Sequence, residues 1–249
     1  MPTSKARMLA WVTGFEWRPL AAALEAEPQW LDFVDERRRN LLHLCCSVDP
    51  ARRNLRPADG MRTAQVLLDA GFDIDRPAFT EGAWQATPVW FTVSRGRNLG
   101  LTRFLLERGA SPEHSLWSAV FNDDRSALAL LLGHGANPNV IAENETPLMS
   151  AVKRRNHAAA KILLENGADP DFQDDRGRTA LHLALRDGDA DEKLIRLLLR
   201  YGARTDVQAR DGTTAAKMLA RKRAPALRRL AASLPVLPDV ALPAACVTP

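Results

Sequence analysis

Large rings are scarce in this sequence: six Trp, eight Phe and one Tyr bring aromatics to 6% of 249 residues, so each can be considered individually. Cysteine is scarcer. Cys45, Cys46 and Cys246 cannot make a disulfide framework, and a vicinal pair is a poor staple, so a reducing compartment and a cytoplasmic location are expected. No run approaches the ~18 apolar residues that span a bilayer, which removes the membrane-spanning reading. A dominant charge sign is missing too: 34 basic residues against 30 acidic leave +4, too mild a bias to indicate nucleic acid by itself. Lys is only six of the 34, a skew toward Arg that fits a GC-rich coding sequence better than selection for phosphate forks. With 46% hydrophobic and 26% charged residues the composition is that of a folded chain, long enough for one large or two small domains.

Catalytic signatures are also absent. There is no phosphate-cradling Gly loop, no Gly-x-Ser-x-Gly elbow, no His-Glu-x-x-His and no Cys spacing suited to zinc, so no catalytic residue, metal ligand or cofactor is assigned and the chain reads as a non-enzyme. Lys5 and Arg7 ahead of the apolar Met8 to Val12 sketch a signal peptide, but Glu16, Arg18 and Pro19 cut the apolar run short. Cys246 to Pro249 outlines a prenylation box with the wrong terminal residue.

What the sequence does contain is a repeat. Thr146-Pro147-Leu148-Met149-Ser150-Ala151 and Thr179-Ala180-Leu181-His182-Leu183-Ala184 lie 33 residues apart, and each leads to a Gly-Ala, at 167/168 and 202/203. The same template finds starts at Asn40, Thr87, His114 and Thr214. Thr before Pro at 87/88 and 146/147 is a helix N-cap followed by the first helical position. Leu-Leu pairs at 67/68, 105/106, 131/132, 163/164 and 198/199 sit just before a Gly, as a second helix ending in a left-handed cap would. Each unit is therefore a pair of short helices, which cannot bury its apolar face alone and must stack on its neighbours.

These residues resemble the ankyrin repeat, whose hallmark runs Thr-Pro-Leu-His-x-Ala and later Leu-Leu-x-x-Gly-Ala-Asp-x-Asn. The match is nearly complete over Thr146 to Asp171, good over Thr179 to Asp206 and His114 to Asn139, and looser over Thr87 to Pro112 and Asn40 to Asp75. The resemblance implies an all-α ankyrin-repeat solenoid of stacked helix pairs with short β-hairpin loops. It would comprise an N-terminal segment 1–16, a solenoid over 17–230 and a Pro-rich tail over 231–249. Within the solenoid a half-repeat at 17–35 would precede repeats starting near 36, 83, 113, 142, 175 and 210. The Arg- and Lys-rich stretch from Thr214 to Leu230 would be the solvent-facing cap, and the tail, with four prolines from Pro235 on, would be extended.

Departures from the period are informative. The starts at 40, 87, 114, 146, 179 and 214 give one interval of 47 residues and one of 27. The long interval holds an insertion around Ser47 to Gly60 and a long hairpin over Phe72 to Ala86. In the short one Gly109 is followed almost at once by His114, and a hairpin is missing. All five His have places in the repeat: His43 and His182 would tie the turn by hydrogen bonds, His114 would replace the capping Thr, and His134 and His157 lie at helix ends. Cys45 and Cys46 would be packing residues.

Ankyrin proteins usually hold partners on the concave face, built from hairpin tips and the exposed side of the first helices. Carrying those slots over implies Phe79 and Trp84 on the long hairpin, Trp90 and Arg95 after Thr87, Trp117, Phe121 and Asn122 after His114, and Lys153 and Arg154 after Thr146. It further implies Arg176 and Arg178 on the next tip, Arg186 after Thr179, and Arg210 and Arg221 at the end. The middle is aromatic and the C-terminal half mostly basic, diluted by Glu143, Glu145, Asp175 and Asp187. Trp90 and Trp117 fit equally well as packing that fills the space of the absent hairpin, and the Arg residues as a solvated face. Two function classes result. One is a protein-binding module, an adaptor, inhibitor or immunity-type protein, monomeric, off the membrane, with a partner protein of acidic character. The other is a nucleic-acid or polyanion binder using the basic half, the less favoured of the two.

Overall fold

Many of the short helices begin where a polar side chain closes the first turn. Thr87 and Thr146 sit in extended backbone and accept from the amides of Trp90 and Met149, at 3.4 and 3.3 Å. Asn40, Asn98, Asp124 and Asn156 do the same for His43, Leu101, Ala127 and Ala159. The structure, a computed structural model, describes residues 2–81, 84–142, 144–186 and 190–221. The expected cap beyond 221, the Pro-rich tail, Glu143 and Asp187 lie outside the described residues.

Two units are distinguished, divided after Pro170. The first contains α1 (Lys5–Gly14), α2 (Trp17–Ala26), α3 (Leu41–Cys46), α4 (Pro57–Asp69), α5 (Pro88–Phe91), α6 (Leu99–Leu106), α7 (Leu116–Phe121), α8 (Arg125–Gly133), α9 (Pro147–Lys153) and α10 (His157–Glu165). Odd-numbered helices neighbour one another in one row and even-numbered helices in a second, with α1 against α3 and α2 against α4, continuing to α7 against α9 and α8 against α10. Helices this short are marginal alone. Burial between the rows supplies the stability: Leu41, Leu67, Leu101, Leu105, Leu116, Leu131, Leu148 and Leu163 are wholly buried, each contributing roughly 1.5–3 kcal/mol. Residues set apart in sequence as an N-terminal segment form α1, which buries Met8 and Val12 against α2 and α3. A 3₁₀ turn over Pro28–Asp32 follows α2.

The second unit, from Asp171, contains α11 (Ala180–Arg186), α12 (Glu192–Arg200) and α13 (Ala215–Arg221), with α11 packed on both others. Its core is Leu181, Leu185, Leu194, Ile195, Leu198 and Leu219.

The expected β-hairpin loops are overturned. Among the described residues the one ladder is β1 (Thr80–Glu81) against β2 (Trp84–Gln85), two residues per strand. Single bridges, Ala142 to Glu145 and Gln208 to Thr214, mark the junctions before α9 and α13. Aspartate side chains replace the ladder. Asp35 Oδ1 accepts from the amides of Arg37 and Arg39, both at 2.9 Å, and Asp174 Oδ1 from those of Arg176 and Arg178 at 3.0 and 2.8 Å. The backbone pairs once across each tip, the Asp35 amide with the Arg39 carbonyl at 2.9 Å and the Asp174 amide with that of Arg178 at 3.0 Å, and the carboxylate takes the remaining tip amides, which closes a tight turn instead of extending a ladder. The chain is all-α, with turn-like tips.

Two local features depart from the repeat pattern. α5 ends after four residues and the chain widens into a π turn over Thr92–Gly96, closed by the Arg97 amide on the Thr92 carbonyl. Gly96 permits it: a Cβ there would fall 2.3 Å from the Cys46 carbonyl oxygen. The expectation that His114 caps the next helix is also corrected. The deleted hairpin brings the chain straight from Pro112 into a 3₁₀ turn over Glu113–Ser115, with His114 half-buried inside it. The N-cap of α7 is Ser115, at ψ −18° rather than the extended 166° of Thr87, so its side chain makes no capping bond.

Candidate partner-binding surface

The residues implied by the resemblance are distributed as follows in the first unit. Phe79 is 38% exposed and meets the ring of Trp90 edge-on at 6.1 Å. Trp90, half-buried, stands edge-on to Phe91 at 4.9 Å, and buried Phe91 stands edge-on to His43 at 5.3 Å. Trp90 therefore links the surface to the core. Trp84 belongs to β2, opposite Glu81. Trp117 is half-buried, and its indole Nε1 is shut from solvent without a hydrogen-bond partner. Arg95 lies exposed in the π turn.

Asn122 is a staple. Its side-chain amide donates to the carbonyls of Val93 and Ser94, at 3.1 and 3.4 Å. A π turn spaces its bonds differently from the α-helix around it, and Asn122 supplies donors to two of its carbonyls.

Phe121 and Arg154 come together. Phe121, the last residue of α7, is 65% exposed, and the guanidinium of Arg154, just past α9, lies 4.0 Å from its ring centroid. Beside them opens a cavity of about 420 Å³, walled by Phe121, Asp123, Arg125, Arg154, Arg155 and His157 among others. Asp123 Oδ1 accepts from Asn156 Nδ2 at 2.9 Å, which joins the two turns that form the wall. Lys153, one residue from Arg154, is ion-paired with Glu145.

Sequence reasoning did not single out Asp123, Arg125, Arg155 or His157 for this surface. A signal was present: Asp123-Asp124 and Arg155-Asn156, 32 residues apart, each place a left-handed residue, φ 52° and 53°, before an N-cap. The same turn in successive units puts its side chains on the same face.

In the second unit Arg178 is committed elsewhere. Its guanidinium holds the nearly buried carboxylate of Asp174 through Nε and Nη2, at 2.9 and 2.7 Å. Burial raises the Asp174 pKa, but the side-chain and backbone bonds from Arg178 and Arg176 outweigh it and hold the carboxyl below its ordinary value. Arg176, Arg186, Arg210 and Arg221 are exposed, and the Arg176 carbonyl accepts from the Arg210 amide at 2.9 Å.

His43 and His182 lie where the turn needs them. His43 Nε2 bonds the Arg76 carbonyl at 2.8 Å and Nδ1 meets the Asn40 amide at 3.2 Å, while His182 Nε2 reaches the Thr213 carbonyl at 3.3 Å. Burial pushes the His43 pKa down to about 4. The Cys45 thiol is pushed up to about 12 by burial and Cys46 is raised as well, so both are packing groups rather than nucleophiles. Among the described residues no cluster of three or more His, Cys, Asp or Glu is placed to hold a metal ion, and no helix is long and apolar enough to cross a membrane.

Residues 116–211 and 148–233 match the family model for ankyrin repeats in three copies. Residues 116–233 carry tandem ankyrin repeats. Solved ankyrin domains share the fold. The ankyrin repeat domain of Bcl-3, a member of the IkappaB protein family, is 22% identical with a TM-score of 0.70, covering 90% of this chain and 96% of that one. The human ASB11 ankyrin repeat domain is 22% identical at 0.64, covering 92% and 96%, and an ankyrin repeat domain from Acinetobacter baumannii AYE is 20% identical at 0.60, covering 77% and 95%. A search of curated proteins by sequence finds no match.

Proposed function

We propose that this ankyrin-repeat protein is a protein-binding module, of the adaptor, inhibitor or immunity type, that receives its partner on the first unit around Phe121 and Arg154. The observation that carries the reading is Phe121 itself. An aromatic ring 65% exposed, with a guanidinium over it, keeps apolar surface in water after folding and buries it when a partner covers it. Both residues occupy slots that the ankyrin resemblance assigns to partner contact. Phe79, exposed against Trp90, offers a second apolar contact on the same unit, and Arg95 a further exposed charge.

The polyanion reading loses support in the second unit, where Arg178 is neutralised by Asp174 and Arg204 by Asp206. The test is capture of a partner by the immobilised chain, compared with Phe121→Ala, at two salt concentrations. The variant is expected to lose the partner at both. Capture that survives the substitution in a folded protein overturns the site, and binding that collapses with salt alone supports the polyanion reading.

A further inference from the structure

Resting on the protein-binding reading, we propose that Asn122 and Asn156 are positioning residues for the partner-contact ring: their side-chain amides hold Phe121 and Arg154 in register, and they act through that pair rather than on the partner. The ring needs such support. Phe121 ends a helix of six residues, too short to be stable alone.

Three consecutive side chains behind the ring serve three different neighbours. Asn122 reaches back one repeat to the Val93 and Ser94 carbonyls, at 3.1 and 3.4 Å. Asp123 accepts from Asn156 of the next repeat at 2.9 Å, and Asp124 caps α8 by accepting from the Ala127 amide at 2.9 Å. Asn156 is used at both ends: its Oδ1 accepts from the Ala159 amide at 3.0 Å and caps α10, while its Nδ2 makes the bond to Asp123. A string of side-chain hydrogen bonds thus runs across three successive repeats. The bond between Asp123 and Asn156 lies two residues from Phe121 on one side and two residues from Arg154 on the other, so it sets the spacing of the two turns that carry the stacked pair.

The equivalent turns differ at one slot. The residue ahead of the left-handed one is Gly96, Asn122 and Arg154 in successive repeats. Gly96 has no side chain to send, Asn122 reaches back to the π turn, and Arg154 reaches back to the Phe121 ring. Phe121 is therefore held from the repeat before it and the repeat after it in the absence of a partner. A ring already ordered loses less freedom when it is bound, so the string strengthens a contact that it does not itself make.

The test uses the isotope-labelled full chain and reads the upfield displacement that the Phe121 ring imposes on the Arg154 side-chain protons lying over it. Asn156→Asp keeps a good helix cap but sets two carboxylates against each other where the bond to Asp123 was. The displacement is expected to be lost while the melting temperature stays near the wild-type value. Adding Asp123→Asn gives the new carboxylate a donor, and the double variant should recover the displacement. Asn122→Ala should also reduce it. Gln65→Ala removes a different tie between repeats, the bonds from Arg108 at 2.6 and 3.0 Å, and should leave it unchanged. A displacement that survives Asn156→Asp, that the double variant fails to recover, or that falls equally with Gln65→Ala overturns the proposal. If the positioning role fails in this way while Phe121→Ala still abolishes partner capture, the protein-binding reading stands without it. If the displacement behaves as expected and capture is indifferent to Phe121, the positioning role stands and that reading fails.

Discussion

The Arg154 guanidinium lies 4.0 Å from the centre of the Phe121 ring, so two residues 33 positions apart in sequence meet at the ends of helices in successive repeats. The pair is exposed, so it adds little to folding. A double-mutant cycle of Phe121→Ala and Arg154→Ala followed by urea unfolding should give a coupling of about 0.5–1 kcal/mol. The same Phe121→Ala change should weaken partner binding by on the order of 2 kcal/mol, mainly through faster dissociation. A variant that loses stability instead of affinity would reassign the ring to packing.

Arg178 is expected to behave unlike Arg154. Reversal of Arg154 to Glu should slow association with an acidic partner and leave the melting temperature near the wild-type value. Reversal of Arg178 would place two carboxylates together at a buried site and unfold the second unit. Asp174→Asn keeps the shape but removes the charge that Arg178 and two amides surround, and should cost about 2 kcal/mol. Circular dichroism melts of the three variants separate these effects.

His43 makes stability depend on mild acid. Its pKa is depressed from 6.5 to about 4, so the unfolded chain takes up the proton first. The contribution of the neutral ring is complete above 6.5 and is lost as pH falls toward 4, on the order of 3 kcal/mol if the imidazole stays buried. Asp174 acts in a lower window: its folded pKa lies below 3.8, so its contribution is complete above that value and disappears as pH falls through the folded one. Urea midpoints measured down this range should drop in two stages, and His43→Gln should flatten the upper one.

Gly96→Ala should be the most damaging of the small substitutions. Its methyl would sit 2.3 Å from the Cys46 carbonyl and 3.3 Å from that of Val48, both backbone atoms. Relief requires moving the loop after α3 away from the π turn, at roughly 1–3 kcal/mol or more. Gly133→Ala, with nothing within 4 Å, is the matched control and should be neutral or slightly stabilising.

Helix pairing was legible because its determinants are local. Thr-Pro starts, Leu-Leu pairs and the glycine after them mark boundaries wherever they occur, and Gly167, at φ 85°, ends α10 as its position in the sequence implies. Helix α1 was not legible, since Met8 to Val12 is an apolar run without a decisive period until α2 and α3 are there to bury one side of it. Nor was the π turn, which depends on Gly96 approaching a carbonyl fifty residues away in sequence. At the binding surface, Phe121 and Arg154 could be named from repeat register. Their contact, the confinement of Arg178 and the stapling role of Asn122 depend on side-chain conformation, which register does not specify.

Three turns in the first unit place a left-handed residue directly before an Asn or Asp cap: Arg97-Asn98, Asp123-Asp124 and Arg155-Asn156. The second residue of each couple closes the helix, so capping itself does not dictate the identity of the first. Arg and Asp are found there with the same geometry, although their charges are opposite. A scaffold that repeats this turn at intervals of 26 and 32 residues carries a row of positions whose charge can differ while the backbone of the turn stays the same.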